Sequence, residues 1–445
     1  YEPGVASLSP REQDILKVKL NETRPDLVNE LKNELSQAKL IRSFLHAGNF
    51  PGMGTGDPDL YKAFAWRFWF IASNKFGKIG VVIPRSALAA KGSEKFRRQF
   101  LSTANGIDVT TLQNSGRWVF DIHPQYTIAL LSISKSNEIS AKGISLKGPF
   151  TSLENFLEGK DAFTKRFPID DVMKWNETVS LPFLPNTDSI EVFTQLRQAP
   201  WLALNESEKW RARADGELHA TAQKPLMDFS EDCPEGFWPV YKGASFDLWN
   251  PDTGVYNAWA DPDVVLPWLQ QKRLAANRSA RDSVHKEFAR EFVENKGTLA
   301  PLKPRIAFRD ISRASDRRTV RCALLPPNTF ITNKGPVLMF PRGNEKDEAY
   351  LLGVLSSIPL DWYARRYVET NVNFFILNPF PIPRPERSNS LWQKVVHLSG
   401  RLACPDKRFA DWAAAVGVDY GLLEPDDKQD KIYELDAVVA HLYGL

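Results

Sequence analysis

Between residues 60 and 134 the apolar period of the chain changes repeatedly, and that succession leaves few folds open. "LYKAFAWRFWFIAS" is apolar and aromatic at helical spacing. "KFGKIGVVIP" is a glycine turn leading into a short apolar strand over residues 79–83. "SALAAKGSEKFRRQFL" returns to a helical pattern, with a break at Gly92. "GIDVTTLQN" and "YTIALLSIS" read as strands because β-branched residues crowd them. Helix, strand, helix and strand in that order require an α/β layer, a sheet covered by helices.

The rest of the chain is sorted around this block. With 445 residues it exceeds one ordinary core, so two or three domains are expected. Residues 10–47 carry Ile15, Val18, Leu20, Leu31, Leu35, Leu40, Ile41 and Leu45 at helical spacing. Residues 141–235 are rich in Pro and Asn and weakly periodic. From residue 236, short β-like runs alternate with turns around a long charged helical stretch over 261–295. "AYLLGVLSSIPLDWYARRYV" reads as one amphipathic helix, "FFILNPFPIPRP" as a proline-bound end, and 391–445 as terminal helices.

Cys233, Cys322 and Cys404 are far apart and odd in number, which excludes a disulfide framework or a zinc spacing. No metal site is expected. A reducing, cytoplasmic compartment fits, and no apolar run is long enough for a membrane span. The net charge of +3 means that nucleic-acid binding would need local basic patches. Tyr1 stands where a Met would begin a gene product, so the chain is expected to be a segment of a longer one.

"PGMGTGDPDLYKAF" invites a phosphate-cradling reading. That reading needs the glycines between a strand and a helix. Here they follow a helical segment, Asp57 takes the third glycine's place, and no Lys-Ser/Thr pair follows. A turn capping the next helix, with Asp57 or Asp59 near its N-terminus, is the plain alternative.

Taken forward from Asp59, the same stretch resembles the second half of a gamma-type adenine-N6 DNA methyltransferase. The matching residues are Asp59, Tyr61 and Phe64, then Gly77, the strand to Pro84, and Gly92 with Arg97 and Arg98. The resemblance implies S-adenosylmethionine as cofactor, with Tyr61 and Phe64 on its side of the sheet. "GRWVFDIHPQYTIALLSIS" is similar to the family's later motif, which implies that Phe120, beside Trp118, stacks on the flipped target adenine. A base inside a duplex is out of reach of a methyl donor, so it must be extruded and held.

"PRIAFRDISRASDRRTVRCALLPPNTFITNKGP" carries Arg305, Arg309, Arg313, Arg317, Arg318 and Arg321 in a hairpin-like alternation. A two-stranded ribbon fits the major groove, where Arg reads guanine bidentately. Arg309 and Arg313 are the first expected base contacts, unless Arg309 merely pairs with Asp310 or Asp316. "AYLLGVLSSIPLDWYARRYVETNVNFFILNPFPIPRP", "PVYKGASFDLW" and "YELDAVVAHLYGL" resemble the target-recognition domain and ending of type IIG restriction–modification enzymes and of BREX- or DISARM-like phage-defence methyltransferases. Asn371 and Asn373 join the arginines as implied DNA contacts.

The family's D-x-F-x-G-x-G cofactor motif and N-P-P-[YWF] catalytic loop are absent from this sequence, and in the gamma order both lie before Asp59. The expected fold is therefore α/β: a partial Rossmann-like methyltransferase sheet (1–150), a linker (151–180), a mixed α/β target-recognition domain (181–385) and a helical C-terminal tail (386–445). The implied function is site-specific adenine-N6 methylation, with double-stranded DNA as partner, room for other restriction or defence-system subunits, and no membrane. Two other classes stay open: a non-catalytic DNA-specificity module docking on a separate enzyme, and an α/β protein that recognises no DNA.

Overall fold

The computed structural model describes residues 4–5, 8–48, 50, 53, 58–124, 126–135, 143–162, 164–204, 210–279 and 281–445. Gly52, Gly54, Gly56 and Asp57 of the glycine loop lie outside the described residues. The chain divides into two units, Tyr1–Ser145 with Arg166–Met173, and Leu146–Lys165 with Lys174–Leu445.

In the first unit, helices Pro10–Thr23 and Pro25–His46 meet at a proline, whose ring ends one helix and whose fixed φ starts the next. Ser9 and Glu12 form a capping box at the first helix. Helix Leu60–Ile71 buries Trp66 and Trp69 and leaves Leu60, Phe64, Phe68 and Ile71 exposed. Its C-terminus is closed by Lys135, which donates to the carbonyls of Trp69 (2.6 Å) and Ala72 (3.1 Å). A cation at the carbonyl end of a helix is favoured by the dipole, and burial lowers the ammonium's pKa. Gly77 is required where the chain turns: a Cβ there would meet the Ser73 carbonyl oxygen at 2.3 Å.

Strands β1 (Lys78–Pro84), β2 (Gly106–Gln113) and β3 (Thr127–Ser134) follow. β3 is antiparallel to both others, pairing Ile133 with Ile79 on one side and with Ile107 on the other. β1 and β2 therefore run parallel, joined by a crossover through helices Ser86–Ala89 and Glu94–Thr103, and β3 fills the gap between them. The connection from β2 to β3 is a loop, so β3 must return as a hairpin. β3 is thus a reversed strand set between a parallel pair. The expected α/β layer is as the sequence indicates. Arg97 is fully buried and donates to the Ala87 carbonyl (3.0 Å), which ties the two crossover helices together. The start of β4 (Gly143–Phe150) lies next to β2.

The second unit holds β5 (Arg211–Asp215), β6 (Trp238–Tyr241), β7 (Ala258–Ala260), β8 (Arg305–Phe308), β9 (Cys322–Leu325), β10 (Phe330–Ile331) and β11 (Val337–Arg342). They form two sheets, ordered β10-β6-β7 and β5-β11-β8-β9. The stretch expected as a linker contains helix Leu153–Gly159 and the buried Phe167 and Trp175. The charged stretch over 261–295 is helical as Pro262–Arg278 and then breaks into short turns. The amphipathic segment expected as one helix is two, Glu345–Leu355 and Ile358–Ala364, because Pro359 cannot continue the first and instead sits in the first turn of the second.

The C-terminal helices are not a separate tail. Ser390–Ala403 packs on Glu345–Leu355, and Pro425–Tyr443 packs on Ser390–Ala403, all within the second unit. The first of these contacts is close at Gly353, where a Cβ would meet Val395 Cγ1 at 2.7 Å and Ser399 Cβ at 3.1 Å. Gly353→Ala should therefore destabilise the unit by ~1–3 kcal/mol through overpacking, seen as a lower urea midpoint. An unchanged midpoint would mean that the helices can part without cost. No described helix is long and apolar enough to cross a membrane.

Candidate nucleic-acid interface

The arginine-rich segment folds as an antiparallel β8–β9 hairpin, with Arg305 opposite Leu325 and Phe308 opposite Cys322. All eight strand residues are buried. The ribbon is thus core and offers no face to a DNA groove, which corrects the expectation from its alternation. Arg305 is corrected with it. The residue is 4% exposed, and its guanidinium makes a two-pronged pair with Glu217, Nε to Oε1 at 2.7 Å and Nη2 to Oε2 at 3.1 Å.

The other arginines lie on the connection, residues 309–321, and they are not alike. Arg309 donates through Nε to the Phe246 carbonyl (3.0 Å) and pairs with Asp247 (3.2 Å). Burial pushes its pKa below the ordinary value. Its carboxylate partner is neither Asp310 nor Asp316. Arg318 pairs with Asp436 at 3.3 Å, and Arg321 with Asp316 at 2.6 Å. Arg309 and Arg318 are therefore held as structural cations, a second correction to the expected set. Arg313 and Arg317 are exposed, and their side chains have no hydrogen bond or ion pair among the described residues.

The structure brings this loop against the second predicted segment. Ile311 forms a bridge with Asn371, Ser312 N donates to the Thr370 carbonyl (3.1 Å), and Val372 N donates to the Asp310 carbonyl (2.8 Å). The Asn371 amide also donates to Asp310 (3.3 Å). Asn373 is exposed at the start of helix Phe374–Leu377. Next to these polar groups, Ile311 and Phe374 are 55% and 41% exposed. The loop thus carries two free guanidiniums and the exposed Ile311, and the segment bridged to its start carries the exposed Asn373 amide and Phe374. Such groups can pair with phosphates or base edges and can touch a thymine methyl. Phe374 ends the turn over 371–374 that the sequence puts against DNA, while Ile311 has no signal of its own there, since an apolar residue in a strand-like run reads as core.

In the first unit, Phe120 sits on the loop between β2 and β3 and is 47% exposed. With Val82, Pro84, Ile122, Tyr126 and Ile128 it lines an open apolar depression of about 340 Å³ at the end of β1. The loop is fixed from beneath by Asn114, a fully buried side chain missed by the sequence reading. Its amide nitrogen donates to the Phe120 carbonyl (2.9 Å), and its oxygen accepts from the N–H groups of Val119 and Phe120, both at 3.1 Å. Trp118 turns inward and donates to the Gln113 carbonyl at 2.8 Å.

Tyr61 and Phe64 do not line this depression. The Tyr61 hydroxyl lies 3.0 Å from Ser86 Oγ, joining its helix to the one after β1. Phe64 is 57% exposed and stacks on Phe68 with ring centroids 6.1 Å apart. A larger cleft of about 680 Å³ in the same unit is lined by Trp66, Trp69, Phe70, Lys95, Arg98 and Lys135, among others, and includes neither Tyr61 nor Phe64. Among the described residues no group of three or more His, Cys, Asp or Glu is placed to hold a metal ion.

No family model matches the chain, and no curated protein matches it. Solved structures do overlap with it. The type IIL restriction–modification enzyme MmeI, in complex with DNA, is 12% identical at a TM-score of 0.41, over 86% of this chain and 49% of that one. The type IIG restriction endonuclease BpuSI is 11% identical at 0.32, over 88% and 50%. DrdV in a DNA complex is 12% identical at 0.32, over 82% and 40%. The chain spans half or less of the length of each of these proteins.

Proposed function

We propose that this chain recognises a specific site in double-stranded DNA and serves adenine-N6 methylation there, within a restriction–modification or phage-defence system. The observation that carries the reading is the surface made by the 309–321 loop and residues 370–374, where Arg313 and Arg317 stand free while every neighbouring arginine described above is neutralised. Free, exposed guanidiniums beside an amide and apolar groups suit a partner with both phosphates and base edges. A small net charge with one such local patch fits site recognition better than blanket attraction.

Phe120 is the group that would hold an extruded adenine. It presents an open ring face, and Asn114 keeps its backbone in place. S-adenosylmethionine, when bound, supplies the methyl group. Phe64, 57% exposed and outside the two cavities described above, offers an open ring to the adenosyl moiety, and Tyr61 anchors the same helix through Ser86. The crossover of β1 and β2 with a reversed strand between them accords with a role for this unit as part of a methyltransferase sheet.

Selection from a random duplex pool tests the reading. The protein should enrich one short consensus, with affinity that falls steeply as salt rises. Recovery of an unselected pool would sink it. Phe120→Ala, made in the full-length gene product, should lose ~1–3 kcal/mol of base stacking. The readout is the fluorescence of 2-aminopurine placed at the target adenine, together with the methylation rate. Wild-type values of both would remove Phe120 from this role.

A further inference from the structure

We infer that Asp361 and Arg365 are positioning residues that set the sequence specificity of the arginine loop without touching DNA; this rests on the DNA reading of that surface. The loop that carries Arg313 and Arg317 has no regular strand or helix from residue 312 to 321. Its backbone groups need partners from elsewhere.

Two side chains one helical turn apart provide them. Arg365 donates through Nη1 to the Ala314 carbonyl (2.6 Å), and through Nη2 to the carbonyls of Asp316 (2.7 Å) and Arg317 (2.9 Å). Asp361 accepts through Oδ1 from the N–H groups of Thr319 (2.6 Å) and Val320 (2.8 Å). Its Oδ2 accepts from Arg365 Nε at 2.8 Å, which closes the clamp. Asp361 is 4% exposed, so its bonds to Thr319 and Val320 are shielded from water. Inside the loop, Thr319 Oγ1 donates to the Arg313 carbonyl (3.0 Å), and Ser312 Oγ to the Thr319 carbonyl (2.5 Å).

The clamp therefore grips the backbone on both sides of Arg317 and, through Thr319, at Arg313. Loop order is established before any partner arrives, so binding need not create it. This matters unequally for the two kinds of contact. A bidentate pair with a guanine edge demands a fixed approach, whereas a phosphate tolerates play. Loosening the clamp should lower discrimination and leave general DNA attraction intact.

The test uses the full chain and two variants, Arg365→Lys, which keeps the charge, and Asp361→Asn, which keeps the size. Each is titrated with the selected duplex and a scrambled one across a salt series, and hydrogen exchange is followed at the Thr319 and Val320 amides. The expected result is faster exchange at those two amides, an unchanged salt slope on scrambled DNA, and a fall of ~10–100-fold in the specific-to-scrambled affinity ratio, the scale of one misread base pair. Wild-type exchange in both variants would show that there is no clamp. Fast exchange with a wild-type ratio would show that the clamp does not govern specificity. If the wild-type protein prefers no sequence, the DNA reading fails and the specificity role falls with it, while exchange still reports separately on the clamp. If Arg365→Lys does not fold, Asp361→Asn alone decides by the same two readings.

Discussion

Glu217→Ala should cost the second unit about 3–5 kcal/mol of unfolding free energy, the range for a buried ion pair that loses one partner. Glu217 is 5% exposed and holds three donors: Nε and Nη2 of Arg305, and the N–H of Ile331 at 3.0 Å. Arg305 belongs to β8 in one sheet and Ile331 to β10 in the other, so this one carboxylate joins the two sheets. Burial raises its pKa above the ordinary value while Arg305 pulls it back. Truncation would leave the guanidinium buried without a counter-charge, held only by neutral acceptors such as the Thr329 carbonyl (2.8 Å), and a backbone N–H unmatched in the core. The measurement is a urea titration of the wild type, Glu217→Ala, and the double variant Glu217→Leu/Arg305→Met. The double variant should recover part of the loss, since it removes the uncompensated charge and leaves only the Ile331 N–H without its acceptor. A single variant within 1 kcal/mol of wild type would mean that water reaches the site and that the pair is not structural.

The result bears on function as well as stability. If the double variant still selects the same duplex consensus, Arg305 has no part in reading DNA. Its place in the expected contact set rested on residue type and on the hairpin-like alternation of the arginine run. A sequence shows that six arginines are close together, but it does not show which carboxylates fold against them. Glu217 lies 88 residues from Arg305, and Asp436 lies 118 residues from Arg318. Charge density along the chain therefore overstates the free charge at a surface.

What was legible in the sequence was local. The order of helix, glycine turn, strand and crossover over residues 60–134 follows from apolar periods and from Gly77, whose missing Cβ the turn requires. The meeting of the 309–321 loop with Asn371 was not legible, because a bridge between Ile311 and Asn371 leaves no trace in periodicity. The split at Ser356 was hidden for another reason: the apolar pattern runs on through Ser357 and Pro359, so the period masks the stop. Asn114 was overlooked because a lone Asn after a strand reads as a turn residue. Its amide in fact bonds to both ends of a short peptide segment.

The double variant Arg313→Ala/Arg317→Ala should nearly abolish selective DNA binding. A guanine-reading Arg is worth ~1–3 kcal/mol when lost, so two independent contacts together amount to ~2–6 kcal/mol, or a factor of thirty or more in affinity. The two single variants separate the roles. Loss of a base contact relaxes the consensus at one position, while loss of a phosphate contact weakens all sequences alike and reduces the salt slope by ~0.9 per contact. Arg318→Ala is the internal control, because its guanidinium is paired with Asp436 and stands away from this role. It should change stability more than DNA affinity. Neither the Arg313 nor the Arg317 guanidinium has a partner among the described residues, so truncating them should leave the unfolding free energy within about 0.5 kcal/mol of wild type. Any loss of binding is then attributable to the DNA contact itself. Wild-type affinity, consensus and salt slope in the double variant would make this surface an ordinary solvated face and would move the search for a DNA contact elsewhere on the chain.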